Sequence, residues 1–493
     1  MRIVLSPTEL DDYHLFLQAK ALPQYSFCGN TLIVPDEYAD RLRGFVPKPE
    51  KKRRYTPSEF LFDYQKSISA LAIRKRKFAL FADCGLGKTL IYAEFVRYAR
   101  KIIAKGKAIL WISPLMVIPQ TIQELDRWYG RKMVPKQIRA NKLKDWLESG
   151  GRFGITNFEA LTEELSNKRI GAIIVDESSM LKSHYGKWGQ TILRLGKGIE
   201  WKLCGTGTPA PNDRIEYANH AVFLDASPNV NAFLARYFVN KAQTSERWIL
   251  KPHAVSPFYR GLSHWSIFLV NPSVYGWKDH ANDIPPIHTQ IHTVPMTPEQ
   301  YTAVQKLTGK LIPIGVGGIG MRAKLGQLAK GSYNGQPIPT NKLTYIRKLV
   351  DSWPTESTII WCVYNDEQRL MEETFPEAAS IRGDTPYDKR QAIIDRFTSG
   401  QTKILITKPK ILGFGLNLQI ATRQVFSGLQ DSYESFYQAV KRSNRVGSTK
   451  PLNVHIPITD AEKPMVMTVL QKAKRVQKDA DEQERVFKEH ASL

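Results

Sequence analysis

Residues 82–89 read A-D-C-G-L-G-K-T, and this stretch decides the fold. A glycine-rich turn that closes in Lys-Thr follows the pattern GxxxxGK[ST], except that Ala82 stands at the first glycine position. In such a turn, backbone N–H groups and the start of the next helix bind phosphate oxygens, the lysine reaches the β- and γ-phosphates, and the threonine holds Mg²⁺. The sequence therefore predicts a site for ATP and Mg²⁺, formed by Gly85, Leu86, Gly87, Lys88 and Thr89.

The surroundings of this turn favour the same interpretation. Residues 77–82 (K-F-A-L-F-A) are a short apolar run that predicts a buried strand, and residues 90–98 have helical apolar spacing. A chance glycine turn beside a lysine is the alternative. Apolar runs alternate with helical segments on both sides of an aromatic and basic stretch, which predicts α/β architecture with two parallel sheets. These runs are 108–113, 152–156, 172–175, 201–204, 358–363, 403–407 and 452–456.

Composition points to a nucleic-acid partner. The 493 residues include 70 Lys and Arg against 47 Asp and Glu, a net charge of +23 that favours a polyanion and places nucleic acid ahead of membrane. A merely basic, soluble surface is the alternative.

No apolar run approaches a membrane span, and Asp11 and Asp12 interrupt a signal peptide, so we expect a cytoplasmic protein. The four cysteines are far apart, which argues against zinc and disulfides.

A pair of carboxylates follows the apolar run at 172–175. Nucleotide hydrolysis requires an acid to organise Mg²⁺ and a base to orient water, and Asp176 and Glu177 are the candidates. A solvated helix start is the alternative. Thr206, Gly207 and Thr208 follow the next apolar run, where an ordinary turn is the alternative to a functional segment.

In this order the motifs resemble those of superfamily-two helicases, and among them the Swi/Snf-like double-stranded DNA translocases. The resemblance covers roughly residues 55–458. It rests on F-D-Y-Q-K at 62–66, D-E-S-S at 176–179, T-G-T-P-A-P-N at 206–212, M-T-P-E-Q at 296–300, G-F-G-L-N-L at 413–418 and Q-A-V-K-R-S-N-R-V-G at 438–447.

This resemblance implies two RecA-like parallel-sheet lobes, a mainly helical insert and a small N-terminal domain. We expect an accessory domain and basic linker at 1–54 and a first, ATP-binding lobe at 55–285, with the aromatic and basic insert from about 213. A second lobe at 286–460 and a charged C-terminal helix at 461–493 follow.

The resemblance also implies roles for individual residues. Tyr64 and Gln65 would read adenine, while Arg442 and Arg445 would approach ATP from the opposite lobe, with Arg445 as the arginine finger. Further nucleotide contacts would come from Gly415 and Gln438. Candidates for DNA contact or coupling are Ser113, Pro114, Thr156, Asn157, Thr206, Gly207, Thr208, Gly383 and Thr407.

The activity expected from the resemblance is ATP-dependent movement on double-stranded DNA, with or without strand separation, by a monomeric DNA-dependent ATPase or helicase. The chain resembles helicases of phages and bacterial mobile elements in three features: the motif D-E-S-S, the compact length, and Leu412 in place of a usual glycine. This resemblance implies a role in replication, recombination or repair in a bacterial or phage-infected cell. An RNA helicase and an ATP-gated DNA clamp without turnover are the alternatives.

Overall fold

The computed structural model divides the chain into two compact units. The first contains Met1–Asp83, Gly87–Asp279 and Lys478–Leu493, and the second contains Cys84–Leu86 and His280–Gln477. The structure describes residues 2–22, 25–34, 38, 41–42, 54–182, 186–241, 248–278, 284–309, 318–412, 417–429, 432–445 and 448–490.

The first unit begins with a small three-stranded antiparallel sheet in the order β1-β3-β2. Its elements are β1 (Arg2–Val4), α1 (Leu10–Lys20), β2 (Ser26–Cys28) and β3 (Thr31–Ile33). Leu15 and Ala19 of α1 are buried against Leu32 of β3, so this sheet has a hydrophobic core of its own.

The main sheet of the first unit has seven strands in the order β12-β4-β9-β8-β5-β7-β6, and every pair in it is parallel. Its strands are β4 (Lys77–Ala82), β5 (Ala108–Ile112), β6 (Lys136–Gln137), β7 (Phe153–Thr156), β8 (Ile170–Asp176), β9 (Trp201–Gly205) and β12 (Ser266–Leu269). The runs in β4, β5 and β9 are almost wholly buried, as expected of parallel strands covered on both faces. The predicted α/β architecture is therefore confirmed.

Helices and one hairpin complete the first unit. They are α2 (Asp63–Lys75), α3 (Lys88–Ile102), α4 (Ile118–Tyr129), α5 (Leu143–Glu148), α6 (Lys187–Gly196), α7 (Tyr217–Phe223), α8 (Val230–Tyr237), the hairpin of β10 (Phe238–Asn240) and β11 (Trp248–Leu250), and α9 (Val255–Ser263). Several aromatic residues of the insert are buried, and Phe258 of α9 is fully so, whereas Trp248 and Trp277 are half-buried. The strand β12, however, was not predicted: it joins the main sheet beside β4.

The second unit contains a six-stranded parallel sheet in the order β13-β20-β19-β16-β18-β17. Its strands are β13 (Ile287–Thr293), β16 (Thr358–Trp361), β17 (Ala379–Ser380), β18 (Ile404–Thr407), β19 (Arg423–Phe426) and β20 (Leu452–Ile458), and a separate hairpin pairs β14 (Ser332–Tyr333) with β15 (Gln336–Pro337). Strand β13 lies at one edge of the sheet and pairs with β20 over its full length.

The helices of the second unit are α10 (Pro298–Thr308), α11 (Ile319–Ala329), α12 (Asn341–Asp351), α13 (Asn365–Thr374), α14 (Tyr387–Thr398), α15 (Pro409–Leu412), α16 (Tyr433–Val440) and the first part of α17 (Lys463–His490). Thr297 caps α10, since its hydroxyl accepts a hydrogen bond from the Gln300 N–H. The long helix α17 begins in the second unit, and its residues from Lys478 onward belong to the first.

Candidate active site

The glycine-rich turn joins β4 to α3, which are both elements of the first unit, whereas Cys84–Leu86 within the turn is assigned to the second. Gly87 lies at the N-terminal end of α3 with φ +66°, and Gly85 has φ +87°. Both conformations favour glycine. A Cβ at Gly87 would strike Nε2 of Gln65, so a side chain there would have to displace the end of this buried side chain. The turn thus brings backbone N–H groups to a helix N-terminus, which is the geometry of a phosphate site.

Lys88 is the first residue of α3, and its ammonium group is held by the turn. Its Nζ donates to the carbonyl oxygens of Ala82, at 2.9 Å, and Asp83, at 3.2 Å. Both partners are neutral carbonyl oxygens, so these two hydrogen bonds do not neutralise the charge of Lys88. A polyphosphate would be a stronger partner for this ammonium group than two carbonyl oxygens.

Asp176 ends β8 at the carboxyl edge of the sheet. It is buried, and it accepts hydrogen bonds from the Ser113 hydroxyl at 3.2 Å and from the N–H of Glu177 at 3.0 Å. Burial, with the neighbouring charge of Glu177, raises the pKa of Asp176 to about 7, although Lys88 opposes this. The site therefore holds two adjacent buried carboxylates with little positive charge to balance them.

Glu177 has a left-handed backbone conformation, with φ +51°. For a residue with a side chain this costs on the order of 1 kcal/mol, and such strain clusters at functional sites. The Thr206 hydroxyl donates to Oε2 of Glu177 at 3.0 Å, and the N–H of Thr208 donates to the Thr206 hydroxyl at 3.2 Å. The turn after β9 thus fixes the orientation of the Glu177 carboxylate.

Strand register explains why these residues meet. Gly205 is the register partner of both Leu80 on β4 and Asp176 on β8. The carboxyl ends of parallel strands form the ligand-binding edge of such a sheet. Strand order alone therefore places the carboxyl end of β4, Asp176 and Thr206 side by side.

The donor set fits Mg²⁺. Mg²⁺ is bound by one or two carboxylates together with waters and substrate phosphates, and Asp176 with the hydroxyl of Thr89 meets this requirement. Among the residues that the structure describes, no cluster of three or more His, Cys, Asp or Glu side chains forms an all-protein metal cage. Asp176 and Thr89 would hold the ion, which supplies neutralisation of phosphate charge when bound.

Tyr64 and Gln65 lie in the first turn of α2 and are both buried. Oε1 of Gln65 accepts a hydrogen bond from the N–H of Phe62 at 3.0 Å. Nε2 of Gln65 is the atom that a Cβ on Gly87 would strike. The structure therefore brings the predicted adenine-reading residue directly beside the phosphate-binding turn.

The predicted nucleotide residues of the second unit lie on or after α16. Gln438 and Arg442 are buried, and the Arg442 carbonyl oxygen accepts from the N–H of Leu418 at 3.0 Å. Arg445 is half-buried, and its N–H donates to the Ser448 hydroxyl at 3.1 Å. Gly415 falls outside the described residues.

Most candidates for DNA contact point inward. The hydroxyl of Thr156 donates to the Ile138 carbonyl oxygen at 3.0 Å, and that of Thr407 donates to the Ile381 carbonyl oxygen at 3.1 Å. Ser113, Thr206 and Thr208 are also buried, and Asn157 is 7% exposed. Pro114 and Gly207 are half-buried, and Gly383 is exposed.

Two contacts of the site were not predicted from the sequence. The Ser113 hydroxyl donates a hydrogen bond to Asp176, although Ser113 was predicted to contact DNA. His220 on α7 lies 3.0 Å from the Ser178 hydroxyl, with its Nε2 as the nearest atom. No spacing in the sequence distinguishes His220 from an ordinary core histidine.

The turn, the paired carboxylates and the parallel sheet define a P-loop nucleotide-binding protein. Residues 64–315 match the SNF2-related domain, and residues 341–447 match the helicase conserved C-terminal domain. The first match covers more than half of the chain, so the chain belongs to the SNF2-related family. The resemblance inferred from the motifs is confirmed.

Relatives with similar sequences come from bacteria and eukaryotes. The chain is 22% identical over 415 residues to YwqA of Bacillus subtilis, provisionally named an ATP-dependent helicase/translocase, a match covering 76% of this chain and 43% of the relative. It is 23% identical over 455 residues to ISW2, the ATPase of the ISWI chromatin-remodeling complex of Saccharomyces cerevisiae, covering 82% of this chain and 39% of the relative. The chain thus spans less than half the length of these relatives.

A solved structure is also similar: the SWI2/SNF2 ATPase core of Sulfolobus solfataricus in complex with double-stranded DNA. It shares 18% identity with a TM-score of 0.41, over 90% of this chain and 100% of that one. Within the described residues, no helix combines the length and the apolar character that crossing a bilayer requires.

Proposed function

We propose that this protein hydrolyses ATP to move along double-stranded DNA. The observation that carries the proposal is the grouping of Lys88, Asp176, Glu177 and Thr206 at one edge of a parallel sheet. Membership of the SNF2-related family and the net charge of +23 support it. A match over most of this chain to a bacterial relative supports a role in bacterial or phage DNA metabolism.

In this proposal Glu177 is the general base. A carboxylate that orients and deprotonates the attacking water must be held in place, and the Thr206 hydroxyl holds Glu177. Lys88 would exchange the carbonyl oxygens of Ala82 and Asp83 for phosphate oxygens. Asp176 and Thr89 would complete the site as ligands of Mg²⁺.

Arg442 and Arg445 would supply positive charge from the second unit. An arginine that reaches the γ-phosphate only when two lobes close makes hydrolysis depend on closure. Arg445 is the candidate arginine finger, because it is half-buried while Arg442 is 3% exposed. Closure and reopening would then be the mechanical step of translocation.

Movement that is independent of sequence requires contacts to phosphates and not to base edges. The threonine hydroxyls at positions 156 and 407 donate to carbonyl oxygens inside the protein. We therefore propose that these segments would contact DNA through backbone N–H groups, beside the exposed Gly383. Lysine and arginine side chains nearby would supply the salt-dependent affinity.

The test is steady-state ATPase activity with duplex DNA, single-stranded DNA and RNA. We expect stimulation by duplex DNA above all. Stimulation by RNA alone would favour an RNA helicase, and DNA binding without turnover would indicate an ATP-gated clamp; either result would refute the proposal. Triplex displacement measured beside fork unwinding would separate translocation from strand separation.

Two substitutions test the assigned residues. Lys88→Ala and Glu177→Gln should each lower kcat at least 100-fold while duplex binding, measured by fluorescence anisotropy, is retained. Lys101→Ala, an exposed change at the far end of α3, and the exposed Glu163→Gln are matched controls that should leave kcat within twofold. A Glu177→Gln protein with wild-type kcat would show that another group is the base.

A further inference from the structure

The turn after β8 is held by a contact between Ser178 of the D-E-S-S motif and His220, which lies outside the motifs named above. Ser178 follows Glu177 and begins a short 3₁₀ helix, Ser178–Leu181, in which its side chain is fully buried. Its hydroxyl oxygen lies 3.0 Å from Nε2 of His220. His220 is also fully buried and lies on α7, which follows the Thr206–Asn212 segment.

Each ring nitrogen of His220 has a hydrogen-bond partner. Nδ1 lies 3.3 Å from the carbonyl oxygen of Glu216, one helical turn earlier. A carbonyl oxygen only accepts, so a proton on Nδ1 lets the ring donate to Glu216 and accept from the Ser178 hydroxyl, whereas a proton on Nε2 lets the ring donate to Ser178. Burial lowers the pKa of His220 to about 4, so the imidazole is neutral at physiological pH.

His220 contacts both the strand that leads into the phosphate-binding turn and the residue that follows Glu177. Its ring packs edge-on against Phe81 on β4, with centroids 5.2 Å apart, one residue before the phosphate-binding turn. Through Ser178 it reaches the residue that follows Glu177. In addition, Asn212 donates to both carboxylate oxygens of Glu216, which ties the segment after β9 to the start of α7.

We propose that His220 is a positioning residue for ATP hydrolysis, which acts through the Ser178 hydroxyl to hold the strained turn of Asp176 and Glu177 in place. Thr206 fixes the Glu177 carboxylate, and His220 fixes the backbone that follows it. Loss of either partner leaves a buried polar group unsatisfied and frees the turn to relax from its left-handed conformation. The inference rests on the proposed ATPase activity.

The experiment compares His220→Leu, Ser178→Ala and the double variant. Outer-shell partners of a catalytic site typically contribute about 10- to 100-fold, so each single change should lower kcat by about that factor. KM for ATP should stay within about twofold, because His220 acts on the turn and not on the nucleotide. The double variant should lose no more than the worse single variant, because both changes remove the same contact.

Two further variants separate positioning from folding. His220→Gln retains an acceptor and should keep kcat within about fivefold of wild type, which a merely packed core residue would not require. His264→Leu is a matched control: this buried histidine lies just before β12, at the opposite end of the strands, and kcat should be unchanged. Ser178→Ala deletes one oxygen, so it tests the contact even where His220→Leu fails to fold.

The outcomes are distinct. Wild-type protein without ATP turnover would refute the proposed function and, with it, this inference. A wild-type protein that turns over beside a folded His220→Leu variant with unchanged kcat would overturn the inference alone. Multiplicative losses in the double variant would also overturn it, since they would show that the two residues act independently.

Discussion

Glu462 is the centre of a buried charge cluster in the second unit. Its side chain is fully buried, and its carboxylate lies 2.5 Å from Nζ of Lys330 and 2.8 Å from Nζ of Lys342. Both lysines are buried, and Glu367, which is 1% exposed, acts electrostatically on both. Two positive and two negative groups thus balance one another away from water.

The pKa values show how far the charges of Glu462, Lys330 and Lys342 compensate one another. Burial alone would raise the pKa of Glu462, but the charges of Lys330 and Lys342 lower it to about 2. Burial alone would also lower the pKa of Lys330, yet Glu462 and Glu367 raise it. Burial lowers the pKa of Lys342 to about 8, although Glu462 opposes this. The two carboxylates therefore compensate the charge of Lys330 fully and that of Lys342 only in part.

Glu462→Gln removes this charge and little else. Glutamine still offers an oxygen to the N–H of Thr459, which donates to Glu462 Oε2 at 3.0 Å, so the helix cap is preserved. The fall in the pKa of Glu462 from its usual 4.5 to about 2 corresponds to about 3 kcal/mol. Breaking a buried ion pair costs about 3–5 kcal/mol, in agreement.

The pH dependence has a defined sign. Because the folded pKa of Glu462 is depressed, its stabilisation is complete above pH 4.5 and is lost as the pH falls towards 2. In the variant the lysines are under-compensated, so their pKa values fall and protonation opposes folding at pH 7. We expect the deficit to shrink as the pH rises from 7 towards 10.

Hydrogen–deuterium exchange of the full chain measures the loss of stability that Glu462→Gln causes in the second unit. Peptides from β16 and β20 should exchange roughly 100-fold faster in Glu462→Gln, while peptides from β4 and β8 serve as the internal reference. Adding Lys342→Met should recover part of the loss, since it removes an uncompensated charge. Asp460→Asn, which alters a surface ion pair with Lys463, should change stability by less than about 1 kcal/mol.

A Glu462→Gln protein within about 1 kcal/mol of wild type would refute the reasoning. A loss of stability in Glu462→Gln that grows between pH 7 and pH 9 would also refute it. Growth with pH would mean that the charges of Lys330 and Lys342 are still fully compensated in the variant. Faster exchange in β4 and β8 as well would show that the cluster does not act on the second unit alone.

Two further predictions concern the first unit. Gly87→Ala should weaken ATP binding measured by a fluorescent nucleotide, because φ is +66° and the new methyl would displace the Gln65 side chain; nucleotide affinity within threefold of wild type would contradict this. Asp479→Asn should weaken the end of α17 by about 2 kcal/mol, because Arg214 donates to both carboxylate oxygens, and exchange should accelerate in peptides from Lys478 onward; unchanged exchange there would show that the pair contributes nothing.

Local features of the chain were predictable to within a residue or two. The run at 77–82 forms β4 with the predicted bounds, and the run at 201–204 forms β9 with one residue added. The motif M-T-P-E-Q at 296–300 contains the N-cap and the first residues of α10. Continuous apolar runs and capping residues act over a few neighbours, so a single sequence is sufficient to locate them.

Strand β12 marks the point at which periodicity was insufficient. Its sequence, S-I-F-L, is four residues long and lies among aromatic residues, so nothing local separates it from a buried helix end. It becomes a strand because its backbone pairs with β4 from Ser266 to Leu269. Burial beside an existing sheet edge, and not propensity, decides its conformation.

The sequence by itself determined the phosphate-binding turn and the carboxylate pair, because each is a contiguous motif whose chemistry depends on neighbouring residues, and it determined the family through the order of such motifs. Only the tertiary structure decided which groups serve these motifs: Thr206 for Glu177, Ser113 for Asp176, and His220 for Ser178. These partners are up to 63 residues apart, and strand order brings them to one edge of the sheet. The physical reason is that hydrogen bonds act over about 3 Å in space, whatever the separation along the chain.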